Sequence, residues 1–253
     1  MKTFVIAEAG SSWRFGAKHL ANGRRCIEIA KAAGADCCKF QWTSDPHLLE
    51  KRRKVKPFTY EMLDYPKAWI QQLAAHCEDV GIEFLCTVFL PADVEYMNQF
   101  VKRWKVASLE AAAIDLHRVM LQTGKPIMQS CAASEIGQAQ LNAQYLHCIA
   151  SYPAPHHALN LHAIGSYDFR GYSDHSGHVL TGALAVACGA EIVEVHMRLD
   201  RTPKDNPDYK HSLCPTRLKE YISNIRLAEV MLGSDEKRMQ PCEQWAEKHM
   251  VRI

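Results

Sequence analysis

No Cys-x-x-Cys pair occurs in this chain, although ten of its 253 residues are cysteine. That absence argues against a zinc ribbon or a dithiol redox motif. Cys37, Cys86, Cys131, Cys148 and Cys188 lie in or beside apolar strand and helix patterns, where cysteine behaves as a small hydrophobe. No apolar run reaches membrane-spanning length, and the N-terminus has no signal-like apolar stretch, so no membrane association is expected. These absences together predict a reduced, cytoplasmic protein. Net charge is only +2, which gives no general affinity for polyanions and no reason to expect a nucleic-acid partner. Internal repeats and low-complexity segments are also missing. The first turn, Ala-Glu-Ala-Gly-Ser-Ser (7–12), is not the glycine-rich loop that an open dinucleotide-binding sheet more often carries.

What the chain does have is alternation. Hydrophobic residues make up 47% and charged residues 23%, enough for a full core in a soluble globular protein. Short apolar runs at 4–8, 37–41, 83–87, 105–108, 126–130, 145–149, 169–173 and 192–196 read as strands. Helical patterns fall between them, among them 21–33, 68–80, 92–100, 181–188 and 215–232. Gly34, Gly81, Gly124 and Gly189 stand at or just past helix ends, where a left-handed cap favours glycine. Continuous apolar strands are buried on both faces, as in a parallel sheet. Eight such units predict a single-domain α/β fold, the (β/α)8 TIM barrel, over residues 1–233, with a C-terminal extension at 234–253. The longest irregular stretch is 42–66; it carries the charge run Lys51-Arg52-Arg53-Lys54 and reads either as a solvated loop or as a lid for an anionic substrate.

In such a barrel, chemistry gathers at the C-terminal ends of the strands. Those ends supply Glu8, Lys39, Gln41, Thr87, Phe89, Lys105, Ser108, Glu110, Ser130, Tyr152, Ser173, Asp174, His175 and His196. Two lysines and several hydroxyls at one mouth suit a ligand with phosphate, or phosphate plus carboxylate. His175 and His196 end neighbouring strands about one βα unit apart. Two imidazoles so placed can grip a divalent ion and leave its other positions open, as a catalytic metal requires.

Nine motifs in order, across nearly the whole chain, resemble the N-acetylneuraminate (sialic acid) synthase family. They are Ile-Ala-Glu-Ala-Gly (6–10), Ala-Gly-Ala-Asp-x-x-Lys-Phe-Gln (33–41), Gly-Ile-Glu-Phe-Leu-x-Thr-x-Phe (81–89), Lys-Val-Ala-Ser-Leu-Glu (105–110), Gly-Lys-Pro-Ile-Met-x-Ser (124–130), His-Cys-x-x-Ser-Tyr-Pro-x-Pro (147–155), Gly-Tyr-Ser-Asp-His (171–175), Glu-x-His-x-x-Leu-Asp-Arg (194–201) and Pro-Asp-x-Lys-x-Ser-Leu (207–213). The resemblance implies a transferase of carbohydrate biosynthesis that condenses phosphoenolpyruvate with a sugar aldehyde such as N-acetylmannosamine, giving a sialic-acid-like 2-keto-3-deoxy acid and phosphate. It implies manganese or magnesium on His175 and His196. It assigns phosphoenolpyruvate to Lys39, Thr87, Lys105, Ser108, Ser130 and Ser173. Gln41, Phe89 and Tyr152 fall to substrate binding, and Glu110, Glu8 and Asp208 to proton transfer, with Glu110 the foremost candidate.

The chain departs from that family on the acceptor side. The tail 239–253 resembles only the linker toward the family's small antifreeze-like domain, whose copy in a partner chain closes the sugar site, so the resemblance leaves a homodimer open. Ser11-Ser12-Trp13-Arg14 stands where Asn-His-x-Gly is usual, and Ser130-Cys131-Ala132-Ala133 where Ser-Thr-Gly-Met is usual. Ala150 replaces a common Asn or Ser. These changes imply a retained reaction type with an altered acceptor. The alternatives are a synthase for a phosphorylated aldose, its phosphate held by the 51–54 run, and a non-catalytic binding or assembly barrel.

Overall fold

The computed structural model describes residues 2–53, 61–132 and 143–251, so Lys54 of the charge run and Ala133 lie outside the described residues. Eight parallel strands form the centre: β1 (Phe4–Gly10), β2 (Cys37–Trp42), β3 (Glu83–Val88), β4 (Trp104–Val106), β5 (Ile127–Cys131), β6 (Ala143–Cys148), β7 (Phe169–Asp174) and β8 (Ile192–His196). Their hydrogen-bonded order is β3-β2-β1-β8-β7-β6-β5-β4, and β3 packs beside β4 to bring the two edges together. This is the (β/α)8 barrel. The strands are β-branched, aromatic and cysteine-rich and are buried almost throughout, because helices cover their outer faces.

The helices are α1 (His19–Ala33), α2 (Pro46–Arg53), α3 (Lys67–Val80), α4 (Pro91–Asn98), α5 (Ile114–Gln122), α6 (Ala163–Ser166), α7 (Thr181–Ala187), α8 (Pro215–Leu232) and α9 (Gln244–His249). Pro91 and Pro215 open α4 and α8 at the first helical turn, where proline's fixed φ fits and its missing N–H costs nothing. Gly34 and Gly81 close α1 and α3 at φ 93° and 74°, the left-handed cap expected from the sequence. One face of α1, with Cys26, Ile27 and Ala30, and one of α3, with Ile70, Leu73 and Cys77, join the barrel wall. No described helix is long and apolar enough to cross a membrane. Beyond α8 the described chain lies on the surface, exposed apart from half-buried Glu243.

Two expectations need correction. The stretch 42–66 is not irregular throughout: it contains α2 and a 3-10 turn at Glu61–Leu63. Asp45 starts α2 by accepting the Leu48 N–H at 2.8 Å, and Pro46 follows it. The run of cations hid the helix, because its apolar positions are few; Leu49 packs with Leu63 and Phe89 in a small cluster separate from the main core. The strand expected at 105–108 is β4, ending at Val106; Ser108–Glu110 is a 3-10 turn that carries both side chains inward.

Parallel register sets the level of the site. Glu8 is paired with Lys39 on one side and His196 on the other, and Ser173 with Glu194. The β1–β2 ladder shifts between Glu8 and Gly10. Gly10 has φ 49°, and a Cβ there would meet the Asp208 carboxylate at 2.4 Å. Only glycine lets the loop carrying Asp208 settle onto the end of β1.

Candidate active site

A cavity of about 260 Å³ opens at the C-terminal ends of the strands. Its lining includes Lys39, Gln41, Phe89, Lys105, Ser108, Ser130, Tyr152, Ser173, His175, His196 and Asp208 from the sequence-expected set. Four expected residues stand behind the wall, among them Asp174, which accepts the Tyr221 hydroxyl at 2.9 Å. Thr87 accepts a hydrogen bond from Lys39 at 3.2 Å, Glu8 is ion-paired to Lys39, and Glu110 is ion-paired to Arg53. The lining also contains Ser11, Glu194 and His211, which the sequence does not point to, and Arg53 from the charge run expected either in solvent or as a lid. Glu194 was within reach of pattern reasoning. It lies two residues before His196 on β8, so the strand's pleat turns both inward.

Glu194 joins the two lysines. Its carboxylate lies 3.5 Å from the Lys39 ammonium and 3.6 Å from that of Lys105, and accepts the Ser173 hydroxyl at 2.8 Å. Lys105 donates to Ser130 Oγ at 2.6 Å and to the Val106 carbonyl at 2.9 Å. Lys39 is 3% exposed and Lys105 1%, so neither is a snorkelling rim residue. Burial works to raise the Glu194 carboxyl, but Lys105 and Lys39 outweigh it and hold it below the usual range. The lysines diverge. Burial lowers Lys105, with only partial relief from Glu194, whereas Glu194 and Glu8 together overcome burial at Lys39 and raise it. Burial pushes the Glu8 carboxyl up to about 7 against the pull of Lys39. Glu8 also accepts the Gly10 N–H at 2.5 Å and the Gln41 amide at 3.3 Å.

A histidine group lines the same cavity. The His175 and His196 ring centres are 5.5 Å apart, and those of His196 and His211 are 4.5 Å apart. Tyr152, which follows β6, lays its ring 4.3 Å from His175. His175 Nδ1 is 2.8 Å from the Ile149 carbonyl. A carbonyl only accepts, so Nδ1 carries the proton and Nε2 keeps its lone pair. Burial lowers both His175 and His196, which keeps the imidazoles neutral and able to ligate. Donor atoms of His196, Asp208 and His211 lie within 4.8 Å of one another, a His/Asp arrangement able to hold a metal ion.

The remaining wall comes from loops. Arg53, the last residue of α2, donates Nε to Glu110 Oε1 at 2.7 Å and stands 5.1 Å over the Phe89 ring. Burial raises the Glu110 carboxyl, and Arg53 opposes that. Arg52 turns outward to Asp115. Arg14 donates to the carbonyls of Met62 and Asp64, and Trp13 packs edge-on against Phe40 and Tyr65. The residues that depart from the usual motif after β1 thus anchor the segment at 61–65.

A barrel with buried lysines, carboxylates and histidines converging on its C-terminal mouth is an enzyme-type architecture. The chain belongs to the NeuB family, whose model matches residues 26–237. It is 30% identical to the N,N'-diacetyllegionaminic acid synthase of Campylobacter jejuni, over 96% of this chain and 81% of that protein. It is 28% identical to the N-acetylneuraminate-9-phosphate synthase of Homo sapiens, over 95% and 74%. An uncharacterized protein of Methanocaldococcus jannaschii is 33% identical over 95% and 75%. The crystal structure of N-acetylneuraminic acid (sialic acid) synthetase from Leptospira borgpetersenii, in complex with citrate, superposes with TM-score 0.85 at 27% identity, covering 98% of this chain and 91% of that one.

Proposed function

We propose that this protein condenses phosphoenolpyruvate with an N-acetylmannosamine-like aldose, releasing phosphate and forming a sialic-acid-like 2-keto-3-deoxy acid. The observation that carries the reading is the pair of buried lysines joined by Glu194 in the same cavity that the histidines line. Lys39, Lys105, Ser108, Ser130 and Ser173 hold the phosphoenolpyruvate, its phosphate toward the lysines, while Thr87 steadies Lys39. Preorganised donors of this kind stabilise charge as it moves from enol to phosphate.

Glu8 has a part in admitting the anion. Its carboxyl, pushed up to about 7 by burial against the pull of Lys39, takes up a proton readily once an incoming phosphate draws the ammonium away, which leaves the Lys39 charge to the anion. Gln41, Phe89 and Tyr152 border the space left for the aldose. In this reading Glu110 and Asp208 move the protons as water adds to the former enol carbon. His175 and His196 would hold a divalent ion, manganese or magnesium; the neutral rings and the unpartnered Nδ1 of His196 fit that role. When bound, the ion supplies Lewis-acid polarisation of the aldehyde oxygen.

A second reading, a phosphorylated aldose as acceptor, is favoured by one observation: Arg53 faces the cavity and could meet such a phosphate. The test is phosphate release from phosphoenolpyruvate with manganese or magnesium and a panel of N-acyl aldoses, with and without a phosphate group. The reading expects release that requires an unphosphorylated aldose and stops on chelation. Release only with phosphorylated aldoses selects the second reading. Binding of phosphoenolpyruvate without release under any pairing contradicts both and leaves a binding or assembly barrel.

A further inference from the structure

We infer that His211 is a direct protein ligand to the ion, so that the chain holds its metal with His211, Asp208 and His196 before any substrate arrives. The inference rests on the reading above that an ion occupies this mouth, and it adds a ligand outside the histidine pair. In the motif Pro-Asp-x-Lys-x-Ser-Leu, position 211 is one of the open places, so His211 is a feature of this chain rather than of the motif.

The first observation is the state of the ring. His211 is 2% exposed, yet its Nδ1 has no hydrogen-bond partner. Nε2 faces Asp208 Oδ1 at 3.3 Å. His196, 6% exposed, likewise has an unpartnered Nδ1. A buried ring nitrogen left without a partner is costly, and such groups in a native structure call for an unseen partner. The second observation is convergence: one nitrogen from each histidine and one oxygen from Asp208 lie within 4.8 Å of one another. Metal bonds of about 2.1 Å place the ligands of one ion roughly 3–4 Å apart, so small side-chain rotations close the set.

The third observation is that Asp208 is already aimed. Its Oδ2 accepts the Ser11 N–H at 2.6 Å and the Ser11 hydroxyl at 2.7 Å, which leaves Oδ1 facing His211. Carboxylate ligands are held by such outer hydrogen bonds, and Ser11 belongs to the segment that departs from the usual motif. Tyr152 lies 5.2 Å from the His211 ring, edge to face, and closes the outer side. A chelate built from protein donors alone needs no substrate oxygen to complete its grip. With His175 also ligating, a six-coordinate ion would still keep two positions for substrate oxygens.

The test is Co2+ titration of chelator-stripped protein without phosphoenolpyruvate, followed by visible absorption, in the wild-type and His211→Gln proteins. We expect tight binding by the wild type, at least about tenfold weaker binding in the variant, and altered absorption bands. Equal affinity with an unchanged spectrum overturns the inference but leaves the proposed reaction standing. Wild-type protein that binds no Co2+ and releases phosphate without any metal removes the ion itself, and with it both readings. If His211→Gln does not fold, wild-type crystals soaked in Co2+ decide from the anomalous signal. A His211 nitrogen at about 2.1 Å supports the ligand, and one beyond about 3 Å from the ion overturns it.

Discussion

The two walls of the cavity are built differently. One is strand-borne: Glu8, Lys39, Lys105, Ser130, Ser173, Glu194 and His196 project from β1, β2, β4, β5, β7 and β8 at levels fixed by parallel register. Its charges are buried and compensate one another. The other is loop-borne: Arg53 on α2 and Leu109 line it together with Leu63 and Phe89, which with Leu49 form a small apolar cluster outside the main core. A wall set by strand register can hold one anion in one pose, whereas a wall of short loops can change its acceptor without disturbing the barrel. Among the motif departures at 11–14, Arg14 braces the segment beside the second wall, whereas Ser11 holds Asp208 near His196.

The sharpest way to break this contrast is to remove Lys39. Lys39→Ala strands Glu8 and Glu194 in a buried site, and losing one partner of a buried ion pair costs about 3–5 kcal/mol. Denaturant unfolding should show that loss, and calorimetry a phosphoenolpyruvate affinity at least about tenfold weaker. Unchanged stability and affinity would mean that the strand-borne charges are not the compensated set described above.

Glu8 gives a second test through pH. Its carboxyl sits at about 7 in the folded protein against 4.5 for the free group. The folded state therefore keeps a proton that the unfolded chain gives up. The associated stability is complete below about 4.5 and is lost as pH rises toward about 7. The unfolding free energy of wild type relative to Glu8→Gln should fall across that window, by up to about 1.4 kcal/mol per pH unit. A pH-independent difference contradicts the assignment.

The loop-borne wall predicts smaller effects, confined to the acceptor. Arg53→Ala should raise the acceptor KM about tenfold, equivalent to about 1.4 kcal/mol, with phosphoenolpyruvate KM within about twofold. Loss of phosphoenolpyruvate affinity instead would place Arg53 on the wrong wall. Arg52→Ala breaks only the surface pair with Asp115 and should cost less than about 1 kcal/mol, with both KM values unchanged. Arg52 and Arg53 are neighbours in sequence, so the difference between them measures the wall rather than the charge run.

The same division explains what could be read without coordinates. Strand-end residues follow from periodicity: Lys39, Lys105, Ser173 and His196 face the cavity because the pleat and the register leave them no other side. Glu194 obeys the same rule and needed only a step of two from His196. The loop residues obey no such rule. The charge run at 51–54 reads as one unit, either solvated or a lid, yet α2 turns Arg53 inward to Glu110 and Arg52 outward to Asp115. Helical phase made that choice, and a stretch with Leu49 as its main buried apolar side chain does not reveal the phase. His211 was hidden in a similar way: its position depends on the turn after β8, where Asn206 and Ser11 hold the loop that carries Asp208.

One labelling experiment bears most directly on the central claim. Phosphoenolpyruvate carrying 18O in the oxygen that bridges C2 and phosphorus is incubated with the protein, a divalent ion and an accepting aldose. If water adds to the former enol carbon and phosphate then departs from it, the C–O bond breaks. The account predicts label in inorganic phosphate, appearing only when the aldose is present. Label retained in the keto acid would show P–O cleavage and contradict water addition at the former enol carbon, and phosphate released equally without the aldose would show simple hydrolysis and contradict a condensation at this site.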